Sequence, residues 1–389
     1  MRPVLGCEVL LRDKPRWLFS SRLGLLCHHA SVTSNLKPLP EELVKIGANL
    51  KCLFSPQHGF FPEKQANMIE SDHQLHPRLQ IPIYSLYGPM KSPPPEVLEG
   101  LDFVLVDLQD VGARVYTYAS TMGLTLEACA RSGISVVILD RPNPLGCSQV
   151  EGNVVEDRFR SFVGRYRIPM RHGLTMGEYA RWIVKEKELD IDLRIITVER
   201  WRASQIFPET RLPWVLPSPN MPSFETAIVY PGMVCLEGTN LSEGRGTTLP
   251  FQIFGAPFID PYRLEKVMKK MEQYGVVIRP IFFEPVADKW KGQRCGGFQI
   301  HVIDPQKIKP YTLGLMVLQA IIQEYPHQFE WLPPPYEYEY EKLPIDIILG
   351  SQRIRNLVEK LAPPEEIEQS WQKDLAQYME LREDCRLYR

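Results

Sequence analysis

Four apolar runs of this chain end in polar residues able to bind a ligand or move a proton. Residues 22–27 run into His28-His29-Ala30-Ser31, and 50–54 run into Ser55-Pro56-Gln57-His58-Gly59. Residues 103–106 end in Asp107-Leu108-Gln109-Asp110-Val111-Gly112, and 136–139 end in Asp140-Arg141-Pro142-Asn143-Pro144. Parallel strands buried on both faces read as unbroken apolar runs, and such sheets bind ligands outside the strands' carboxyl ends. One aspartate closing a strand has an ordinary use as the cap of the next helix. Four polar strand ends gathered on one sheet edge favour a site. A second cluster, Glu237-Gly238-Thr239-Asn240-Leu241-Ser242-Glu243-Gly244-Arg245-Gly246, sets carboxylates, an amide and an arginine among glycines. Glycine-rich backbone loses much entropy on ordering, so this loop is expected to serve function rather than packing.

Several chemistries are excluded by spacing. His28, His29, His58 and His172 form no helical i, i+4 pair beside a carboxylate, so no metal is expected. No Gly-x-Ser-x-Gly elbow supports a serine triad, and neither a Gly-x-Gly-x-x-Gly turn nor a P-loop lysine supports a nucleotide. No cofactor is expected. Carboxylates, amides, arginines and aromatics remain, the mixture used in sugar binding and in glycoside hydrolysis, where two carboxylates flank the scissile bond.

The elements that must hold these residues alternate in type. Segment 40–47 and segment 121–132, each followed by or ending in glycine, read as helices between the strands. Helix 175–187 opens with Thr175 and carries Glu178 at capping-box spacing, and 192–198 reads as a further strand. This alternation predicts a doubly wound parallel α/β sheet. Prolines 208, 213, 217, 219 and 222 then interrupt regular structure, and the expected division is 1–215 and 216–389, the second part a smaller α+β domain. It should hold helices at 262–274 and 312–324, strands at 276–283 and 297–303, and a solvated last helix near 364–383. The Pro333 to Glu341 stretch reads as an exposed extended connection serving packing.

At 389 residues the chain exceeds one ordinary core, and its net charge of −2 provides no basic footprint for nucleic acid. The eight cysteines lack Cys-x-x-Cys spacing and read as reduced, buried thiols. No run has the length of a membrane span, and the N-terminal residues lack a signal-peptide core, so a cytoplasmic location is expected.

The runs Leu105 to Tyr118, Leu139 to Gly146, Val150-Glu151-Gly152, Arg171 to Thr175, Pro217 to Pro222 and Glu237 to Thr247 together resemble the NamZ-type exo-β-N-acetylmuramidases, glycoside hydrolase family 171, formerly domain of unknown function 1343. The resemblance implies a Rossmann-like first domain, a smaller second one, and a cleft between them that releases N-acetylmuramic acid from the non-reducing ends of peptidoglycan fragments. On it, the candidate catalytic residues are Asp107, Asp110, Glu151, Glu243 and His58. The candidate substrate-binding residues are Gln57, Arg114, Tyr116, Arg141, Asn143, His172, Asn220, Glu237, Asn240 and Arg245, with Arg114, Arg141 and Arg245 as forks for the lactyl carboxylate. One departure stands out. Many members carry Glu-His-Gly after the second strand, with that glutamate thought to be catalytic, and here Gln57 precedes His58-Gly59. An amide cannot give and retrieve a proton as a carboxyl does. Segment 63–73 also departs from the family's alanine-glycine-glutamate pattern. The expectation is a hydrolase drawing on another carboxylate; the rival is a glycan-binding protein that has lost its acid.

Overall fold

Leu23–Cys27 (β1) is buried along its whole length because both of its faces are covered. The computed structural model describes residues 2–63, 68–70 and 72–389. β1 pairs in parallel with Leu50–Ser55 (β2) on one side, and beyond β2 lie Gln74–Leu75 (β3) and Pro82–Ser85 (β4). Its other side pairs with Phe103–Asp107 (β5), followed outward by Ser135–Leu139 (β6). Glu151–Val154 (β7) and Pro169–Arg171 (β8) form a separate antiparallel pair, and Leu193–Ile196 (β9) completes the main sheet. The order is β3-β4-β2-β1-β5-β6-β9, parallel except for β3, so the winding reverses between β1 and β5. That reversal opens a crevice at their carboxyl ends.

Alternation divides the apolar residues between two layers. Leu23, Leu25, Leu105, Val137 and Leu139 face helices Gly6–Asp13 and Leu39–Lys45, while Leu26, Val104, Val106, Val136 and Ile138 face helices Tyr118–Ser132 and Met176–Lys187. The expected helix ends hold. Gly133 takes φ 66° after Ser132, and Thr175 and Glu178 exchange both capping-box hydrogen bonds.

The later residues build a three-stranded antiparallel sheet from Ile253–Ala256 (β10), Val276–Phe283 (β11) and Cys295–Val302 (β12), with helix Pro261–Lys269 packed against β11 and β12 and helices Phe224–Met233 and Pro310–Glu324 packed on each other. These two helices meet through Gly232 and Gly314, where a Cβ on Gly232 would stand 1.7 Å from the Pro310 carbonyl oxygen. The last helix, Pro364–Arg382, is less solvated than expected. It buries Ile367, Trp371, Tyr378 and Arg382, and beyond it the Tyr388 hydroxyl donates to Asp140 at 2.6 Å. All eight cysteines are buried and unpaired. Among the described residues no helix is long and apolar enough to cross a membrane.

Candidate functional site: a two-carboxyl cleft at the sheet edge

The polar strand ends do reach one edge, but several of their side chains are committed to holding it together. His28 donates from Nδ1 to the Pro217 carbonyl (3.1 Å) and accepts the Gln109 amide on Nε2 (3.0 Å), which fixes a neutral tautomer. Burial accordingly pushes its pKa down to about 3. Asp107 is fully buried in a two-pronged ion pair with Arg141, whose Nη2 also donates to the Val32 carbonyl. Asp140 collects Thr175, Gly177 and Tyr388, joining a helix start to the chain's end. Asp110 accepts the Gly112 amide at 2.6 Å and His172 Nε2 at 3.2 Å.

Other expected residues stand away from any shared cavity for similar reasons. Glu151 accepts the amides of Tyr311 and Thr312, capping helix Pro310–Glu324. Arg114 donates to the carbonyls of Asn153, Ile168, Ile348 and Leu349, a buried brace rather than a fork for an anion. Asn143 bridges Leu145 and Leu174, and Asn240 bridges Gln328 and Glu330.

What the fold does bring together is Gln57, His58, Tyr116, Asn220, Glu237 and Arg245, which line a narrow cleft with Thr117, Tyr230, Phe251, Tyr336 and Glu337. Gln57 and His58 come from the turn after β2, where His58 and Gly59 take φ 70° and 78°. Glu237 and Arg245 come from the loop after helix Phe224–Met233. That loop is packed, contrary to expectation: Lys289 threads beneath it, donating to the carbonyls of Leu236 and Leu241 and to Glu243. Gly244 lies where a Cβ would stand 2.5 Å from the Ile253 carbonyl oxygen, so close packing accounts for it.

The principal residue that the sequence reading passes over is Glu337. The Pro333 to Glu341 stretch is not an exposed connection, since Tyr336 and Glu337 are buried at the cleft. Tyr336 and Glu339 exchange both backbone hydrogen bonds at 2.9 Å, enclosing Glu337 and Tyr338 at φ 45° and 67°. This is a two-residue turn with positive φ at both centres, a conformation that favours Asn-Gly. Holding two L-residues there costs about 1–2 kcal/mol each. Phe162 and Tyr87 flank the Tyr338 ring and the Lys91 ammonium lies 3.5 Å above it, which keeps the turn in place.

Two carboxyls thus face the same space in different surroundings. Glu237 accepts from Arg245 Nη2 at 2.6 Å and from the Tyr336 hydroxyl at 2.7 Å. Glu337 accepts from Gln57 Nε2 at 3.0 Å and from the Tyr87 hydroxyl at 2.8 Å. Burial pushes the Glu337 carboxyl up to about 7 against the pull of those two donors. Glu243, one step behind the cleft, is driven the other way: burial would raise it, but Lys289 and Arg245 outweigh that and hold it ionised. Among the described residues no three His, Cys, Asp or Glu side chains gather as a metal cage. Of the departing segment 63–73, residues 64–67 and 71 lie outside those described.

A cleft presenting one carboxyl poised near neutrality, a second bound to arginine, and tyrosines and amides between them has the equipment of a glycoside-processing site. Comparison with known proteins agrees. The family model described as Exo-beta-N-acetylmuramidase NamZ, N-terminal, matches residues 23–225, and its C-terminal counterpart matches 228–388. The chain belongs to the NamZ exo-β-N-acetylmuramidase family. The peptidoglycan beta-N-acetylmuramidase NamZ of Bacillus subtilis (strain 168) is 39% identical over 384 residues, 98% of this chain and 91% of that protein. Crystal structures of two DUF1343 family proteins from Bacteroides fragilis NCTC 9343 superpose over all of this chain and 99% of theirs, with TM-scores of 0.89 and 0.78 at 30% and 26% identity.

Proposed function

We propose that this chain is an exo-acting β-N-acetylmuramidase that releases N-acetylmuramic acid from the non-reducing ends of peptidoglycan fragments, with its active site in the cleft lined by Gln57, Glu237, Arg245 and Glu337. Family membership supports the reaction class, and the observation that carries the site is the pair of carboxyls, Glu237 and Glu337, on one cleft. The reading of a glycan-binding protein without an acid loses its support, because a carboxyl stands 3.0 Å from Gln57. Of the three arginines considered for the lactyl carboxylate, Arg245 is the one on the cleft, and its Nη1 has no hydrogen-bond partner among the described residues. In this reading residues 1–215 supply the sheet edge and residues 216–389 the opposing wall. Eight buried, unpaired cysteines favour a reducing compartment, and we place the reaction in the cytoplasm. No metal or nucleotide takes part.

The test is incubation of the purified protein with a disaccharide of N-acetylmuramic acid β-linked to N-acetylglucosamine, following free muramic acid by chromatography. Release is expected, and the analogue lacking the lactyl group should be a poorer substrate. Saturable binding without release would return the protein to the glycan-binding class.

A further inference from the structure

Gln57 is joined to the cleft at both ends of its amide. The Thr117 hydroxyl donates to its Oε1 at 2.6 Å, which orients the group, and Nε2 is thereby aimed at Glu337 Oε1 at 3.0 Å. The Tyr87 hydroxyl holds the other Glu337 oxygen at 2.8 Å. A carboxyl oxygen has a second lone pair, so both contacts can persist while Glu337 carries a proton toward the cleft. Glu337 is buried, lines the cleft, and sits on a turn whose backbone opposes its own placement there. Backbone strain of that kind persists where the surrounding structure over-determines it, as at catalytic positions.

We infer that Glu337 is the proton donor of this enzyme and that Gln57 is its positioning residue. The inference rests on the muramidase reading and divides the roles within it. As the C1–O bond of the muramic acid unit breaks, its electron pair goes to the departing oxygen, which takes the Glu337 proton and leaves as an alcohol. Water oxygen then bonds to C1, and the proton that water gives up restores the Glu337 carboxyl. Glu237, held by Arg245 and Tyr336, faces the positive charge that builds at the sugar ring. Among the described residues, the ionisable groups around Glu337 are Tyr87, Tyr336, Tyr338, Tyr230, Lys91, Glu237 and Arg245, with His58 on the same cleft. The negative charge of Glu237 opposes Glu337 ionisation, while the positive charge of Arg245 favours it.

The test compares two substrates: the muramic acid disaccharide, whose sugar leaving group needs a proton, and 4-nitrophenyl β-N-acetylmuramide, whose leaving group departs as a stable anion. Glu337→Gln should lose about 10²–10⁴-fold in kcat/KM on the disaccharide while keeping most of its nitrophenyl turnover. Gln57→Leu removes a donor that favours the ionised acid, so its disaccharide profile should keep activity to higher pH than wild type. Should Glu337→Gln fail to fold, Glu337→Asp draws the carboxyl back by one methylene and should show the same contrast between substrates. Equal losses on both substrates in the folded variant, or an unmoved alkaline limb in Gln57→Leu, overturn the assignment. A wild type inert on both substrates instead removes the muramidase reading, and this inference with it.

Discussion

The Glu337 carboxyl should make stability depend on pH in a direction opposite to that of most carboxylates. In the unfolded chain it releases its proton near 4.5, whereas in the folded protein burial delays release to about 7. Between those values the folded state holds a proton that the unfolded state has lost, so raising the pH favours unfolding. The contribution is complete below 4.5 and is lost as the pH climbs through 7. At about 1.4 kcal/mol for each pH unit, the separation amounts to about 3 kcal/mol. Glu337→Gln removes the titration while keeping the shape. Urea unfolding of wild type and Glu337→Gln, measured from about pH 5 to about pH 8, isolates the effect because the other groups, including buried Asp140, titrate in both proteins. The stability of wild type relative to the variant should fall by about 2.5 kcal/mol across that range, since a part of the effect is already lost at about pH 5. A difference that stays constant with pH would refute the claim that this carboxyl is held protonated by burial.

Lys289→Met removes the ammonium from Glu243 and from three loop carbonyls, and breaking so buried an ion pair should cost about 3 kcal/mol in urea unfolding. It should also lower turnover, since Arg245 is then drawn from Glu237 toward Glu243. Tyr388→Phe deletes the hydroxyl that Asp140 and the Val198 amide share, costing about 1–3 kcal/mol with kcat unchanged, because neither residue reaches the cleft. Dialysis against a chelator should leave turnover intact, measured on the same disaccharide, and elemental analysis showing stoichiometric zinc or iron would contradict that expectation.

The parts of the fold that could be read from the sequence are those set by local or periodic physics. Buried parallel strands must be apolar on both faces, which makes Leu23–Cys27, Phe103–Asp107 and Ser135–Leu139 visible as runs, and a capping box lies within four residues. The sheet edge was legible for the same reason. The roles of its residues were not, because Asp107 and Asp140 are strand-end aspartates whose partners, Arg141 and Tyr388, are fixed only by tertiary packing. Arg114 and Glu151 have the residue types of ligand-binding groups, yet the carbonyls and amides that occupy them come from other elements. Glu337 left the least signal of all. Its turn lacks the Asn or Gly that announces positive φ, and a run of alternating tyrosines and glutamates reads as solvated chain until its neighbours are known.

Those neighbours are remote: Gln57 is 280 residues from Glu337, and Tyr87 is 250. The carboxyl acquires its proton affinity only when the turn at 336–339 is laid over the end of β2, since burial supplies the upward push and the sheet-edge residues supply the donors that limit it. Neither half of the chain holds this chemistry alone. A carboxylate at position 57 would stand beside Glu337 as a like charge, and two such groups cannot both remain ionised at hydrogen-bond distance. The glutamine avoids that conflict. It offers a donor where a second acid would compete for the proton, so Gln57, which in the sequence reads as a departure from the family's glutamate, fits the cleft as the hydrogen-bond partner of Glu337.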